Sequence, residues 1–350
     1  MTARFADYVL NDNKTHGMYL RYSFPPHPVG FVPRETIREY LRGTDPVTGK
    51  PLVREIIEAL TKPLTEEEKN PVLITKPKHP RLLPPDTEEN LHRLFLKSGW
   101  TDGLPIVLPT EERVAEMLTG TDADPNQVVG TMSIGYYEEK LEYTAEQVAV
   151  NAVMAGARPE HLPVILAIAA TQRPSLPSST TSFASMVVVN GPVRDLTGMN
   201  YGTGALSPFN YANSVIGRTW TLMSKNFGDA RLGETFMAST GHNLNYNNMC
   251  FAENEADSPY EPLHVEKGFR AEENTVSLFR GWNVLGLGLG PAERMAEVLK
   301  FLPTMGKVAT FVMDPLVAKN LKTEGFTTKT KLREYLAERR AVCRSSSTLS

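Results

Sequence analysis

The run SMVVVNGPV at 185–193 constrains this chain more than any other feature. Val187, Val188 and Val189 form a β-branched core that ends in an Asn-Gly-Pro turn, so the run reads as a buried strand. Helical patterns stand on both sides of it. Upstream, Thr144 and Gln147 form a T-x-x-Q capping box for AEQVAVNAVMAG, which Gly156 closes, and PEHLPVILAIAATQ has a proline in its first turn. Further upstream, TEENLHRLFLKSGW places Leu91, Leu94 and Phe95 on one helical face. A short apolar run, IVLP, follows, and then TEERVAEMLTG, with Thr110 as N-cap and Gly120 just past the end. Downstream, YANSVIGRTWTLMSKNFG reads as a long helix stopped by Gly228. TVSLFRGWNVLGLG suggests strands, PAERMAEVLKFLPTMG a helix, KVATFVMDP a strand, and LVAKNLKTEG and TKTKLREYLAERR two helices. This alternation is the signature of an α/β, or mixed α+β, domain with helices packed on a central sheet. No internal repeat is present.

Residues 1–86 have a different texture. YSFPPHPVGFVP, TKPLTEEEKNP and TKPKHPRLLPPDT are punctuated by proline and read as extended segments, with two short helical patterns, RETIREYL and PLVREIIEAL, between them. The division expected is an N-terminal arm or small subdomain over 1–86 and an α/β main domain over 87–350 that carries the site. Such an arm either wraps a neighbouring subunit or lies on its own chain.

Composition narrows the function classes. With 41% apolar and 22% charged residues the chain has the makeup of an ordinary globular protein. A net charge of −3 leaves no basic footprint for nucleic acid, and the basic run KTKLREYLAERR reads as a solvated helix face. Two cysteines, Cys250 and Cys343, make no disulfide framework, and Cys343 sits in a tail, CRSSSTLS. The start, MTARFADYVLNDNK, shows no apolar core of a secretory signal, and no apolar run approaches the ~20 residues of a membrane span. The expectation is a cytoplasmic protein without a membrane or nucleic-acid partner.

Several stretches invite a chemical reading, each beside a plainer one. GLGLG at 286–290 lies between a strand-like run and a helix, but its G-x-G-x-G spacing and the proline after it favour a tight turn over a phosphate cradle. No nucleotide, flavin or redox-cofactor motif is secure, so no cofactor is assigned. SLPSSTTSFAS at 175–185 offers hydroxyls for an anion or a nucleophile, or is a flexible loop. Asn190 and Gly191, at the end of the Val strand, are candidates for a pocket wall. On the helix YANSVIGRTW, Asn213 and Arg218 are candidates for holding an anionic group; the alternative partner for Arg218 is a nearby glutamate. In SGWTDGLP, Asp102 and Trp100 either shape a pocket entrance or make an Asp-Gly turn.

The most polar stretch is STGHNLNYNNMCFAENEADSPYEPLH, 239–264, with five asparagines, two histidines and four acidic residues. It lacks a helical period, and only NNMCFAE, with Met249 and Phe251, alternates as a strand does. A loop this long in a compact domain usually carries function. His242 can act as general acid or base with Glu253 or Glu255 beside it, and Asn245 can bind substrate. His242, Glu253 and His264, separated by eleven residues each, are the alternative as a metal set. Cys250, between Met249 and Phe251, reads as a small buried side chain rather than a nucleophile. A structural loop whose asparagines cap backbone groups is the plain alternative.

WTDGLPIVLPTEERVAEML, VAVNAVMAGARPEHLPVILA, VVNGPV, YANSVIGR and FAENEADSPYEPLHVEKGF together resemble a family of largely uncharacterised bacterial proteins associated with UGSC-motif (selenocysteine or cysteine) proteins. The resemblance spans roughly 95–340 and leaves the N-terminal arm out. It implies a cytoplasmic component of small-molecule metabolism that works with a second polypeptide, and it transfers no reaction. Where the family pattern carries a cysteine after AVMAG, this chain has Ala157.

The function expected is an enzyme acting on a small polar, anionic metabolite by acid/base chemistry of the lyase or hydrolase type, in a homo-oligomer. His242, Glu253 and Asp102 would be catalytic, and Arg218, Asn213, Asn190, Trp100 and Asn245 would bind substrate. A non-catalytic subunit that stabilises or regulates a catalytic partner, and a metal-dependent hydrolase, are the alternatives.

Overall fold

The computed structural model of the chain describes residues 2–15, 19–70, 80–132, 141–176, 182, 184–233, 235–281, 291–299 and 310–345. A 3-10 turn leads into α1 (Ala6–Thr15), which sequence patterning did not reveal. An extended segment follows, then α2 (Arg34–Arg42), α3 (Leu52–Thr61) and the short α4 (Glu66–Lys69). These elements have a small apolar cluster of their own, Ala6, Val9 and Phe24, with Tyr22 against it. The rest is tied by polar groups. The fully buried Asp45 accepts the backbone N–H groups of Phe24, Val47 and Thr48 at 2.5, 2.7 and 3.2 Å. The Arg21 guanidinium donates to both carboxylate oxygens of Glu68 and to the carbonyls of Lys62 and Pro63. Arg81 reaches Glu146 and Glu111, and Leu83 packs on Phe95, Ile106 and Met154.

α5 (Glu88–Lys97) and α6 (Glu111–Leu118) begin where threonines cap them: Thr87 and Thr110 accept the N–H of Asn90 and Arg113. On the apolar face of α5 only Phe95 is buried, while Leu94 is 37% exposed. IVLP forms no strand; Ile106 is buried and the Val107 N–H donates to the Met154 carbonyl. β1 (Val128–Met132) and β2 (Leu141–Thr144) pair antiparallel. The Thr144–Gln147 capping box opens α7 (Ala145–Ala155) with both bonds made, and Gly156 ends it at φ 85°. α8 (Leu162–Ala170) follows, apolar on nearly every face and buried accordingly.

β3 (Ala184–Asn190) is buried at every residue. After it come α9 (Val193–Leu196), α10 (Tyr211–Asn226), β4 (Cys250–Ala252), α11 (Leu263–Glu266), β5 (Thr275–Gly281), α12 (Ala292–Leu299), α13 (Pro315–Thr323) and α14 (Lys329–Ser345). The sheet order is β4-β3-β5, with β4 parallel and β5 antiparallel to β3. Val187, Val189, Cys250 and Ala252 face Ile165, Ile168, Ile216 and Trp220 of α8 and α10. Met186, Val188 and Phe251 join Phe279 and Leu263 on the other side. Because both faces are covered, the strand reads as a continuous apolar run without alternation. The fold is therefore the mixed α/β arrangement expected, with helices packed on a small sheet.

One expected strand is not formed. Of KVATFVMDP, residues 307–309 lie outside the described residues, and 310–314 pair with no strand among them. Phe311 and Met313 instead pack on the cluster of Leu299, Leu321, Leu332 and Leu336 that joins α12, α13 and α14. Asp314 then caps α13 by accepting the Leu316 N–H at 2.7 Å. GLGLG, and residues 177–181 and 183 of the Ser/Thr stretch, also lie outside the described residues. Among the described residues no helix is long and apolar enough to cross a membrane.

Candidate functional site

The Asn-rich stretch divides at β4. Its first half winds into a 3-10 turn, Asn243–Tyr246, laid against α10. Gly217 makes this contact possible: a Cβ there would stand 1.9 Å from the Asn247 carbonyl oxygen and 2.8 Å from the Cys250 Cβ. Asn248, at φ 49° and fully buried, donates from Nδ2 to the Gly217 carbonyl at 2.9 Å and to Thr221 Oγ1 at 2.8 Å. The Thr221 hydroxyl donates onward to the Asn245 carbonyl at 2.6 Å. Asparagine is suited here because it tolerates the left-handed region and supplies two donors in a short reach. The turn is stapled to the helix, and this part of the asparagine content is structural.

Between this turn, the first turns of α10 and the loop 205–207 lies a cavity of about 540 Å³. Ser207, Ser214, His242, Asn243 and Asn247 give it polar walls, and Leu206, Leu244 and Met249 apolar ones. Asn213 also lines it, but the side chain is engaged: Oδ1 accepts the Asn200 N–H at 3.0 Å, and Nδ2 donates to the carbonyls of Asn200 and Ala205 at 2.9 and 3.1 Å. Asn213 thus fixes the loop that forms one wall. Cys250 closes the floor, and burial pushes its thiol up to about 12, so the sulfur stays protonated.

His242 is the N-cap of the 3-10 turn. Its Nδ1 accepts the Leu244 N–H at 3.1 Å, an arrangement that assigns the ring proton to Nε2. No side chain or backbone group among the described residues takes that Nε2–H, and the ring lines the cavity. An oriented donor on a residue that lines a cavity of mixed polar and apolar walls is what the arrangement offers chemically. A general base at Nε2 would need its proton on Nδ1, directly against the Leu244 N–H.

The second half of the stretch goes elsewhere. Beyond β4, Glu253 and Glu255 meet Asn190 at the carboxyl ends of the parallel strands β3 and β4. Asn190 Nδ2 donates to Glu253 Oε2 at 2.6 Å and Glu255 Oε1 at 2.9 Å, and the Gly191 N–H also donates to Glu255 Oε1 at 2.9 Å. Arg194 approaches Glu255 at 3.2 Å and donates to the Glu253 carbonyl. Lys329 of α14 lies 3.9 Å from Glu253, and the buried His264 has Nδ1 3.9 Å from Glu255 and Nε2 3.3 Å from the Ala271 carbonyl. Glu253 and His264 are therefore together, and His242 is not with them. Among the described residues no three His, Cys, Asp or Glu side chains are placed to hold a metal ion, so the metal set of His242, Glu253 and His264 is not assembled.

Asp102 and Arg218 form a third group. Arg218 donates from Nε and Nη2 to the two oxygens of Asp102 at 2.8 and 2.9 Å and to the Pro105 carbonyl at 2.7 Å. The glutamates downstream of α10 are not its partner; a carboxylate 116 residues upstream is. With side-chain exposures of 17% and 3%, this bidentate pair ties the Asp-Gly turn to α10. Burial lowers the pKa of the nearby Lys225, against the pull of Asp102 and Asp229. Trp100 packs edge-on against Phe95, with centroids 5.3 Å apart, and is part of the cluster under α5. Asn245 enters the staple through its carbonyl.

The cavity's hydroxyls, Ser207 and Ser214, were not singled out in the sequence. Ser214 lies within YANSVIGR, on the first turn of α10, and Ser207 on the 205–207 loop; the fold brings both to the cavity that His242 lines. Comparison of the chain with family models, curated proteins and solved structures finds no match. The family resemblance rests on its sequence motifs, and Ala157, where that pattern has cysteine, lies half-buried against the core beside Gly156.

Proposed function

We propose that the chain is a cytoplasmic enzyme of small-molecule metabolism whose substrate, a small polar metabolite rich in carbonyl or carboxylate oxygen, binds in the cavity beside α10. The observation that carries this reading is His242, held by the Leu244 N–H so that Nε2–H is presented as a donor at the wall of a 540 Å³ cavity. That volume falls in the range of small-molecule sites, roughly 300–1,000 Å³. Among the described residues the lining contains no Asp, Glu, Lys or Arg, so a bound oxygen meets donors from imidazole, amide and hydroxyl groups. In lyase or hydrolase chemistry such a donor stabilises negative charge as it develops on a substrate oxygen. His242 then polarises the substrate, and Glu253, on the far side of β4, supports the fold rather than the reaction.

The experiment is a ligand-observed NMR panel of small keto-, hydroxy- and dicarboxylates and amides, run on the parent and on His242→Asn, with conversion of any binder followed in the same tubes. Asparagine retains an acceptor for the Leu244 N–H and removes the Nε2 donor. Expected are binders whose affinity falls about tenfold or more in the variant, at unchanged melting temperature, as for loss of one buried hydrogen bond to a charged group. At least one of them should be converted by the parent only. Binding insensitive to His242→Asn would refute the assignment, and binding without conversion would favour a non-catalytic subunit.

A further inference from the structure

The polar groups of the cavity beside α10 are not spread evenly through its depth. Its most deeply buried wall residues are Asn213, at 3% exposure, and Cys250, at 6%. Asn213 has both amide N–H groups on the carbonyls of Asn200 and Ala205. Cys250 keeps its proton on sulfur and behaves there as a small apolar side chain. The half-buried Met249 stands beside it in the lining. By contrast, the side chains of Ser207, Ser214 and Asn247, and Nε2 of His242, have no hydrogen-bond partner among the described residues, and all four residues are only half-buried. Leu206, which lines the cavity and is 55% exposed, marks the mouth. The closed end is apolar and the free donors stand nearer the opening.

A pocket graded in this way takes a molecule in one orientation, apolar end first. A polar group pushed against Cys250 and Met249 gives up its water and gains no partner. A second carboxylate there fares worst, since no Lys or Arg lines the cavity among the described residues. We infer that the substrate has a single oxygen-bearing head, a carboxylate or amide, and a short aliphatic tail, and that Cys250 sets the length of tail admitted. The inference rests on the reading of this cavity as the substrate site. The head meets His242 Nε2–H and Asn247, and the tail runs past Met249 to the floor. That floor is backed by α10: a Cβ at Gly217 would stand 2.8 Å from the Cys250 Cβ, so the cysteine cannot withdraw to admit a longer chain.

The test is a titration, by ligand-observed NMR, of straight-chain monocarboxylates from propanoate to heptanoate, their primary amides, and the dicarboxylates from malonate to pimelate. The proteins are the parent, His242→Asn and Cys250→Ala, with melting temperatures measured alongside. In the parent, affinity should rise about fourfold per added methylene until the tail reaches the floor, and then fall. Each dicarboxylate should bind about tenfold more weakly than the monoacid of the same length, because its second charge goes unpaired. Saturation transfer should be strongest at the terminal methyl of the tail. Cys250→Ala removes the sulfur and should move the best tail about one carbon longer. Dicarboxylates as tight as monoacids, or affinity flat along the parent series, would overturn the inference, while binding that still falls in His242→Asn would keep the cavity as the substrate site. A best length unmoved in a folded Cys250→Ala would overturn the role of Cys250; if that variant does not fold, the parent series and the methyl saturation decide. No binder sensitive to His242→Asn would remove the site itself, and this inference with it.

Discussion

The two halves of one polar stretch, 239–250 and 253–264, end in opposite environments. The first is laid against α10 with almost no charge, Asn248 donating to Gly217 and Thr221 and the Asn245 carbonyl accepting from Thr221, and it borders an open cavity. The second is a charged knot in which Asn190, Glu253, Glu255, Arg194, His264 and Lys329 share partners. The three residues of β4 separate them. His242 lines the cavity, whereas the Glu253 carboxylate accepts from Asn190 and the Leu263 N–H, so the two share no partner among the described residues. Polar composition therefore marks neither half as catalytic. What distinguishes them is the kind of partner: amide and backbone groups in the first and ion pairs in the second, with a buried atom left without a hydrogen bond among the described residues in each, Asn248 Oδ1 in one and His264 Nδ1 in the other.

The comparison breaks most visibly at Gly217. Gly217→Ala drives a methyl group into the Asn247 carbonyl and should cost about 3 kcal/mol or more in urea unfolding, since backbone cannot yield as a flexible side chain does. Loss of ligand binding should accompany it, while the charged knot is left to respond only through global unfolding. Next is the Asp102–Arg218 pair. Asp102→Asn leaves a mostly buried guanidinium without its counter-charge and should cost about 2–3 kcal/mol, and adding Arg218→Met should recover part of that. In the charged half, Asn190→Ala removes the two donors shared by Glu253 and Glu255 and should cost about 2 kcal/mol with no change in cavity binding. A parallel loss of binding would show that the halves are coupled through β4.

The smallest effect is one of pH. Burial alone would raise the Glu266 carboxyl, but hydrogen bonds from Arg333 and Lys267 and the charge of Lys329 bring it down to about 2 in the folded chain. A carboxyl depressed on folding stabilises above its unfolded pKa, near 4.3, and that stability is lost as the proton returns on the way down to about 2. The urea midpoint should therefore fall between pH 4.5 and 2, and Glu266→Gln should flatten part of that slope. Glu68, held at about 2 chiefly by Arg21, titrates in the same window and accounts for further slope in the N-terminal region. At neutral pH His242→Asn should leave the midpoint almost unmoved, because the cap is retained.

Local signals were enough for much of the fold. Thr87, Thr110, the Thr144–Gln147 box and Gly156 stand where the chain's helices begin and end, and the valine run read as a buried strand is one. These are effects within a few residues, or of one side chain's burial, and sequence records them directly. The pairing of Asp102 with Arg218, the close approach of Gly217 to Asn247 and the meeting of Ser207 with His242 are different in kind. Each depends on where two distant segments lie in space, and residue type alone does not set that distance. Sequence supplied the polar groups; tertiary structure decided which of them meet one another and which line the cavity, because that depends on distances between segments far apart in the chain.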